Sequence, residues 1–122
     1  MMRIVPTLLA LLLLVGCGGA EYDSTLDRVQ DRGVLVVGTE PEFPPFESTN
    51  EKGEFVGFDM DLARELAKDL GVELRIEAMA FDSLPTALST GKIDVIISGM
   101  TATPERAKSR TFSDTYYRTR LC

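Results

Sequence analysis

Three strand-like segments, each followed by a helical one, constrain the fold of this chain more than any other feature. Val34–Val37 is continuously apolar and Ile93–Ile97 is apolar except for Asp94, which is typical of strands covered on both faces. Val72–Glu77 alternates apolar and charged side chains, which is typical of a strand with one face in water. The resulting β-α-β-α-β-α pattern predicts an α/β fold with an open, mainly parallel sheet and right-handed crossovers.

Local signals mark where the helices begin and end. Asp59 is predicted to cap a helix that runs to Leu70, because leucines recur there every fourth residue while charged side chains occupy the other face. Thr103 and Pro104 suit the N-cap and the first turn of a short later helix. The other segments predicted from local pattern are a polar helix over Leu26–Arg32 ending at Gly33, a loop over Glu40–Pro45, a hairpin-like excursion over Phe46–Phe55 and a helix over Asp82–Thr90.

The strand patterns also predict the order of the sheet. The alternating strand Val72–Glu77 belongs at an edge, so the first strand separates it from the third and the order begins 2-1-3. Connections then leave the first strand in opposite directions, which makes the crevice between strands one and three the switch point where open α/β sheets bind ligands. The loops Thr39–Phe46 and Ser98–Arg106 follow these two strands and are expected to face each other.

Arg106 indicates what the crevice binds. It falls in the first turn of the helix predicted to begin at Pro104, where a cation opposes the helix macrodipole unless a negative group lies beside it. A guanidinium, free helix N–H groups and neighbouring hydroxyls together suit a carboxylate or a phosphate. The alternative is a solvated surface arginine paired with Glu105 or Asp82.

The two loops supply further groups for a ligand. Ser98 and Thr101 carry hydroxyls, and Gly99 would let a ligand approach the backbone closely. The facing loop carries Glu40 and Phe43, and Phe81 stands just before the second helix. Such aromatic rings can sandwich the apolar stem of a ligand while the acid takes a cationic or amide end. Core packing is the alternative for Phe43, and a solvated loop position is the alternative for Glu40.

Composition and the missing residue types point away from other functions. The chain has no histidine and a formal net charge of −6. Acidic charge argues against nucleic acid as a partner. Neither cysteine has a base nearby in sequence and no metal-ligand spacing occurs, so the sequence predicts no enzyme activity, no cofactor and no metal.

The N-terminus has the pattern of an export signal. Ile4–Val15 follows Arg3 and is apolar except for Pro6 and Thr7, and it is too short for the roughly 20 residues of a membrane span. Leu14-Val15-Gly16-Cys17 resembles the lipobox of bacterial lipoproteins, so residues 1–16 are predicted to be a signal peptide, Cys17 to carry lipid and residues 17–25 to be a tether. An ordinary secretory signal with an incidental cysteine and a retained membrane anchor are the alternatives.

Three successive blocks carry a family resemblance. They read "VLVVGTEPEFPPFES", "GEFVGFDMDLARELAKDLG" and "GKIDVIISGMTATPERAKSRTFSDTYY". This series resembles the first half of the periplasmic solute-binding proteins for polar amino acids, family 3, the receptors of amino-acid ABC importers. The resemblance implies a two-lobed protein that closes on one amino acid, with residues 26–122 as an incomplete first lobe and the second lobe absent. The implied partners are a free amino acid, a membrane permease and, through the lipid, the outer face of the cell membrane.

The resemblance also implies roles for particular residues. Arg106 matches the arginine that clamps the ligand α-carboxylate, helped by Thr101 and groups at Ser98 and Gly99. Phe43 and Phe81 match residues that flank the ligand side chain, and Glu40 matches a position that is often acidic where the ligand is basic or an amide. The implied ligand is therefore a polar or cationic amino acid, held by Glu40, Phe43, Phe81, Ser98, Gly99, Thr101 and Arg106.

Two other functions remain open from the sequence. The same fold serves periplasmic dehydratases acting on prephenate-like acids, which would need an acid or a base from the second lobe. It also serves as a sensor domain, which would need a following transmembrane segment. The lipobox-like motif at Cys17 favours the free-standing transport receptor.

Overall fold

The computed structural model describes residue 19 and residues 21–119. The predicted signal peptide, Cys17 and Cys122 lie outside the described residues. Within the described part, no helix is both long and apolar enough to cross a membrane.

Helices and strands alternate as the sequence pattern predicts, with three additional short strands. The helices are α1 (Thr25–Arg32), α2 (Phe58–Leu70), α3 (Leu84–Ser89) and α4 (Pro104–Ala107), with a 3₁₀ turn over Phe81–Ser83 before α3. The strands are β1 (Val34–Thr39), β2 (Glu42–Phe43), β3 (Glu47–Thr49), β4 (Phe55–Val56), β5 (Glu73–Ala78) and β6 (Val95–Ile96).

The main sheet is parallel and has three strands in the order β5-β1-β6. Val34 pairs with Glu73 at one side of β1, and Val37 pairs with Val95 at the other. The predicted numbering 2-1-3 is corrected to β5-β1-β6, because β2, β3 and β4 intervene in the chain as a separate sheet. The alternating strand β5 is an edge strand and the apolar β1 is central.

The second sheet is antiparallel, with the order β2-β3-β4. It includes the predicted hairpin and also β2, which falls inside the segment predicted as a loop. Gly57 follows β4 with a φ of +122°, and a Cβ built there would collide with the backbone carbonyl of Phe46. Only glycine fits where the chain turns from this sheet into α2.

Apolar side chains cover both faces of the main sheet. Leu35 and Val37 pack with Val29 of α1 and with Ala63 and Ala67 of α2 on one face. The other face joins the following buried side chains of β1, of α3 and of the segment before β6: Val36, Leu84, Ala87 and Ile93. Packing on both faces therefore holds β1 and β6 in place, and with them the carboxyl ends of these strands.

Most predicted helix boundaries are confirmed, but the cap of α2 is wrong. Gly33 and Gly71 end α1 and α2 in the left-handed conformation. Helix α2 has Gly57 at its N-cap position, with no side-chain cap. Asp59 instead lies inside the helix, wholly buried, because its carboxylate contacts the loop after β6.

A buried carboxylate ties α1 to the sheet. Asp94 accepts hydrogen bonds from Arg28 Nη2 at 2.9 Å, from Arg32 Nη2 and from the backbone N–H of Val36 at 2.8 Å. Its side chain is 1% exposed, whereas the two arginines are about one-third exposed. The one acid in the third predicted strand is thus a structural anchor.

Candidate ligand-binding site

The two loops predicted to face each other meet at the carboxyl ends of β1 and β6. The backbone N–H of Glu40, directly after β1, donates to Ser98 Oγ at 2.9 Å. Met79 N, after β5, donates to the carbonyl of Thr39 at 3.0 Å. The first bond ties the two loops together across the crevice between β1 and β6, which is the predicted switch point, and the second joins the ends of β1 and β5.

A cavity of about 270 Å³ opens in this crevice. Five of the seven residues predicted to bind a ligand line it, together with Glu42 and Glu47, which the sequence did not single out. The lining residues are Glu40, Glu42, Phe43, Glu47, Phe81, Ser98 and Gly99. Thr101 and Arg106 lie beside the cavity and not in its wall.

Arg106 lies next to the cavity because its guanidinium packs on the ring of Phe81, which forms part of the cavity wall. Thr103 Oγ1 accepts the backbone N–H of Arg106 at 3.2 Å, which confirms Thr103 as the cap of α4. The guanidinium carbon lies 5.5 Å from the centre of the Phe81 ring, and Nη1 donates to the carbonyl of Thr101 at 2.9 Å. Glu105 pairs with Lys108 instead, and Arg106 makes no ion pair with any residue of the described part.

Ser98 and Gly99 have their donors occupied within the protein. The Ser98 hydroxyl donates to Glu47 Oε1 at 3.0 Å while accepting the N–H of Glu40. The Gly99 N–H donates to Asp59 Oδ2 at 2.6 Å. Both residues therefore build the floor of the cavity, and neither presents these groups to a ligand in this conformation.

The facing wall combines an acid and two aromatic rings. Glu40 Oε2 accepts the backbone N–H of Phe81, and Oε1 has no hydrogen bond from the described residues. Phe43 is 52% exposed and stacks on Phe46 at 5.4 Å between ring centres. Gly99 has a φ of +55°, and a Cβ there would lie 2.9 Å from the Phe43 ring. The group that approaches the Gly99 backbone closely is therefore the Phe43 ring, where the sequence predicted a ligand.

Two buried acids beneath the cavity were missed from the sequence. Glu47 and Asp59 are both 0% exposed. Burial, with the neighbouring carboxyl of Asp59, raises the pKa of Glu47 to about 8. The Tyr116 hydroxyl donates to Asp59 Oδ1 at 2.9 Å, and burial and this bond raise the pKa of Tyr116. Nothing in the local sequence separates these acids from exposed ones, because what buries them is distant in the chain.

A larger cavity of about 940 Å³ lies along β6 and the segment after α4. Of the seven predicted site residues it touches only Ser98, and its wall includes Leu62, Leu66, Leu88 and Ile96. The smaller cavity is the better candidate, because it lies at the carboxyl ends of β1 and β6 and five of the seven predicted site residues line it. No group of three possible metal ligands occurs among the residues that the structure describes.

Comparison with known proteins identifies the family. The model of the bacterial extracellular solute-binding proteins, family 3, matches residues 35–121. The chain belongs to this family. The matched region begins at the second residue of β1 and includes every later strand and helix, as well as all seven predicted site residues.

Two similar proteins are named for binding amino acids. An arginine-binding extracellular protein of Bacillus subtilis is 42% identical over 104 residues, which are 85% of this chain and 39% of that protein. A lysine/arginine/ornithine-binding periplasmic protein of Escherichia coli is 39% identical over 113 residues, which are 91% of this chain and 41% of that protein. The chain thus spans about two fifths of the length of these relatives.

A solved structure of a single domain is also similar. The crystal structure of the arginine-bound form of domain 1 from TmArgBP superimposes with a TM-score of 0.73 at 57% identity. The match covers 75% of this chain and 72% of that chain. At this identity the likeness extends to the sequence as well as to the fold.

Proposed function

We propose that this chain is the first lobe of a two-lobed solute-binding protein that holds a polar or cationic amino acid, arginine foremost, in the cavity between β1 and β6. The observation that carries the proposal is the convergence of Glu40, Phe43 and Phe81 on one cavity with Arg106 stacked at its edge. The acid suits a cationic side-chain end, the two aromatic rings suit an apolar side-chain stem, and the guanidinium suits the α-carboxylate of an amino acid.

Charge in the cavity favours a cationic side chain. Glu40 and Glu42 both line it, and Glu40 Oε1 has no donor among the described residues. An aliphatic side chain would leave this acid desolvated and unpaired, which costs more than a missing attraction. An acidic side chain would add repulsion. Arginine, lysine, histidine or glutamine suits the wall better than leucine, valine, aspartate or glutamate.

The ligand α-carboxylate is assigned to Arg106. The guanidinium donates one hydrogen bond to Thr101 and makes no ion pair with a described residue, so it can still offer donors to an anion. A planar guanidinium holds a carboxylate by two parallel bonds, a geometry that lysine does not reproduce. Thr101 is exposed beside it and contributes its hydroxyl.

The names of the relatives support the cationic ligand. Those compared above are named for arginine or for lysine, arginine and ornithine. The arginine-bound domain 1 supports binding by one lobe, because that chain is a single domain. We extend both points to this chain as parts of the proposal.

The remaining parts of the proposal concern location and partners. Residues 1–16 act as a lipoprotein signal peptide, Cys17 carries the lipid, residues 17–25 form the tether and residues 26–122 belong to the first lobe. The protein then works at the outer face of the cell membrane or in the periplasm, and delivers its ligand to an ABC transporter permease. It acts as a receptor and not as a dehydratase or a sensor domain.

The ligand is tested by calorimetric titration of the chain with arginine, lysine, glutamine, leucine and glutamate. Arginine or lysine is expected to bind best. The matched variant is Glu40→Gln, whose amide oxygen can still accept the Phe81 N–H while the charge is gone. It should weaken arginine binding by about tenfold and leave glutamine binding nearly unchanged.

Three outcomes would contradict the proposal. Leucine binding more tightly than arginine would refute the role of Glu40, and glutamate binding best would refute it more strongly. Consumption of a prephenate-like acid by the chain would favour the dehydratase alternative.

A further inference from the structure

Two buried carboxyl groups hold adjacent residues of the same loop. Glu47 begins β3 and accepts the Ser98 hydroxyl at 3.0 Å, and Asp59 in α2 accepts the Gly99 N–H at 2.6 Å. Both acids are 0% exposed, and they are neighbours because they hold adjacent residues of one loop. Ser98 and Gly99 form the floor of the proposed ligand cavity, so the pair lies directly beneath it.

One oxygen atom of this pair of acids has no hydrogen-bond donor in the described part of the chain. Glu47 Oε2 is buried and has no hydrogen-bond partner among the described residues. Two ionised carboxylates buried side by side would repel each other strongly, whereas one proton shared between them would give a charge-assisted hydrogen bond. The missing donor is therefore a proton on one of the two acids.

The surroundings decide which acid holds the proton. Asp59 already accepts two donors, the Gly99 N–H and the Tyr116 hydroxyl, both of which stabilise its ionised form. Glu47 accepts only the Ser98 hydroxyl. The other acid that faces Glu47 is Glu40, whose negative charge also disfavours ionisation of Glu47. No cation pairs with either buried acid in the described part.

We propose that Glu47 is protonated at neutral pH, donates from Oε2 to Asp59, and acts as a positioning residue whose proton fixes Ser98 and Gly99 at the floor of the cavity. Ser98 in turn holds the backbone N–H of Glu40, so the same proton sets the spacing of both loops. Its loss in alkaline solution places two negative charges under the loop after β6 and loosens that loop. The effect on ligand affinity rests on the proposed function, whereas the proton itself does not.

The proton is measured directly, without a ligand. Carbon-13 NMR of the chain labelled at glutamate carboxyls follows Glu47 from pH 5 to pH 10, with the resonance assigned by its absence in Glu47→Gln. A midpoint near the pKa of about 8 is expected, and the Gly99 amide resonance should shift with the same midpoint. A Glu47 midpoint below pH 6 would overturn the proposal.

Glu47→Gln is also the matched control, because its amide keeps both bonds of the protonated acid. The amide oxygen accepts from Ser98 and the amide N–H donates to Asp59. The alkaline shift of the Gly99 resonance should disappear in this variant, and its persistence would overturn the positioning role. Should Glu47→Gln fail to fold, Asp59→Asn gives an independent result. It removes a negative charge and offers a donor, so it should lower the Glu47 midpoint, and an unchanged midpoint would contradict the shared proton.

Ligand affinity supplies the second readout. Between pH 7 and pH 9 the chain is expected to lose about tenfold more arginine affinity than Glu47→Gln, since about one molecule in ten keeps the proton one unit above the pKa. Ionisation of the ligand is common to both proteins and cancels in this comparison. Equal losses in both would refute the link to binding. Absence of arginine binding at every pH would refute the proposed function and leave the NMR result to decide the proton.

Discussion

Replacing Arg106 tests whether this residue serves ligand binding or the stability of the fold. In the absence of ligand its guanidinium makes one hydrogen bond to the Thr101 carbonyl at 2.9 Å and stacks at 5.5 Å on Phe81. Such a stack at a partly exposed site is worth about 0.5–1 kcal/mol. Arg106→Ala should therefore lower the unfolding free energy by about 1 kcal/mol or less, equivalent to a fall of roughly 4–8 °C in Tm.

The expected effect on binding is larger. A carboxylate held by two charge-assisted hydrogen bonds loses about 2–4 kcal/mol when the guanidinium is removed, which corresponds to roughly 30- to 700-fold in Kd. Arg106→Lys should recover only part of this, because an ammonium lacks the planar pair of donors.

Arginine affinity is measured by calorimetric titration, and Tm is measured by thermal melting without ligand. Both measurements are made on the unchanged chain, on Arg106→Ala and on Arg106→Lys. Arg110→Ala is the control, since Arg110 lines the larger cavity and not the smaller one. A collapse of ligand-free stability with unchanged affinity in Arg106→Ala would make Arg106 a structural residue and refute its assignment to the carboxylate. A similar loss of affinity in Arg110→Ala would show that the effect is not specific.

Three further predictions concern stability. Asp94→Ala should lower the free energy of unfolding, measured by urea denaturation, by about 3 kcal/mol, because it leaves the Arg28 guanidinium and the Val36 N–H without their buried acceptor. A loss below about 1 kcal/mol would contradict the structural role given to Asp94. The pKa of Glu47 is raised from 4.5 to about 8, so folding takes up a proton between these pH values. Stability from this group is full below pH 4.5 and declines up to pH 8, by at most about 1.4 kcal/mol per pH unit, and urea midpoints of Glu47→Gln should lack this slope. Gly57→Ala should cost at least about 2 kcal/mol in the same assay because of its φ of +122° and the collision with Phe46, and a change within 0.5 kcal/mol would refute the steric account.

Features set by near neighbours in the chain could be predicted. Gly33 and Gly71 end helices because a left-handed residue is needed there, and Thr103 caps α4 through a bond to Arg106 N three residues on. The alternation in Val72–Glu77 placed that strand at an edge because one of its faces meets water. In each case the cause lies within a few residues of its effect.

Features set by distant contacts could not be predicted. Asp59 looked like a helix cap because an acid stands at the start of an amphipathic run, yet its partner Gly99 is 40 residues away. The donors of Ser98 and Gly99 were expected to serve a ligand because their buried acids could not be recognised. Phe58 is likewise placed by a distant partner: it is 49% exposed and stacks on Tyr116, 5.9 Å between ring centres.

The short strands illustrate the same limit. Strands β2 and β4 contain two residues each, which is too few for a periodic pattern. Their pairing with β3 depends on the turn at Gly57 and on the packing of Phe46 against its aromatic neighbours. The short strands therefore change the numbers of the main-sheet strands, whereas their predicted spatial order, with Val34–Val37 in the centre, is the observed one.

The central claim is that a cationic amino acid binds in the crevice between β1 and β6. Its most direct test is an NMR titration of nitrogen-15-labelled chain with arginine, with leucine in parallel. We expect arginine, at lower concentration than leucine, to shift the amide resonances of Glu40, Phe81, Gly99, Thr101 and Arg106. Shifts confined to the larger cavity around Leu88 and Ile96, or a stronger response to leucine at the crevice, would contradict the account.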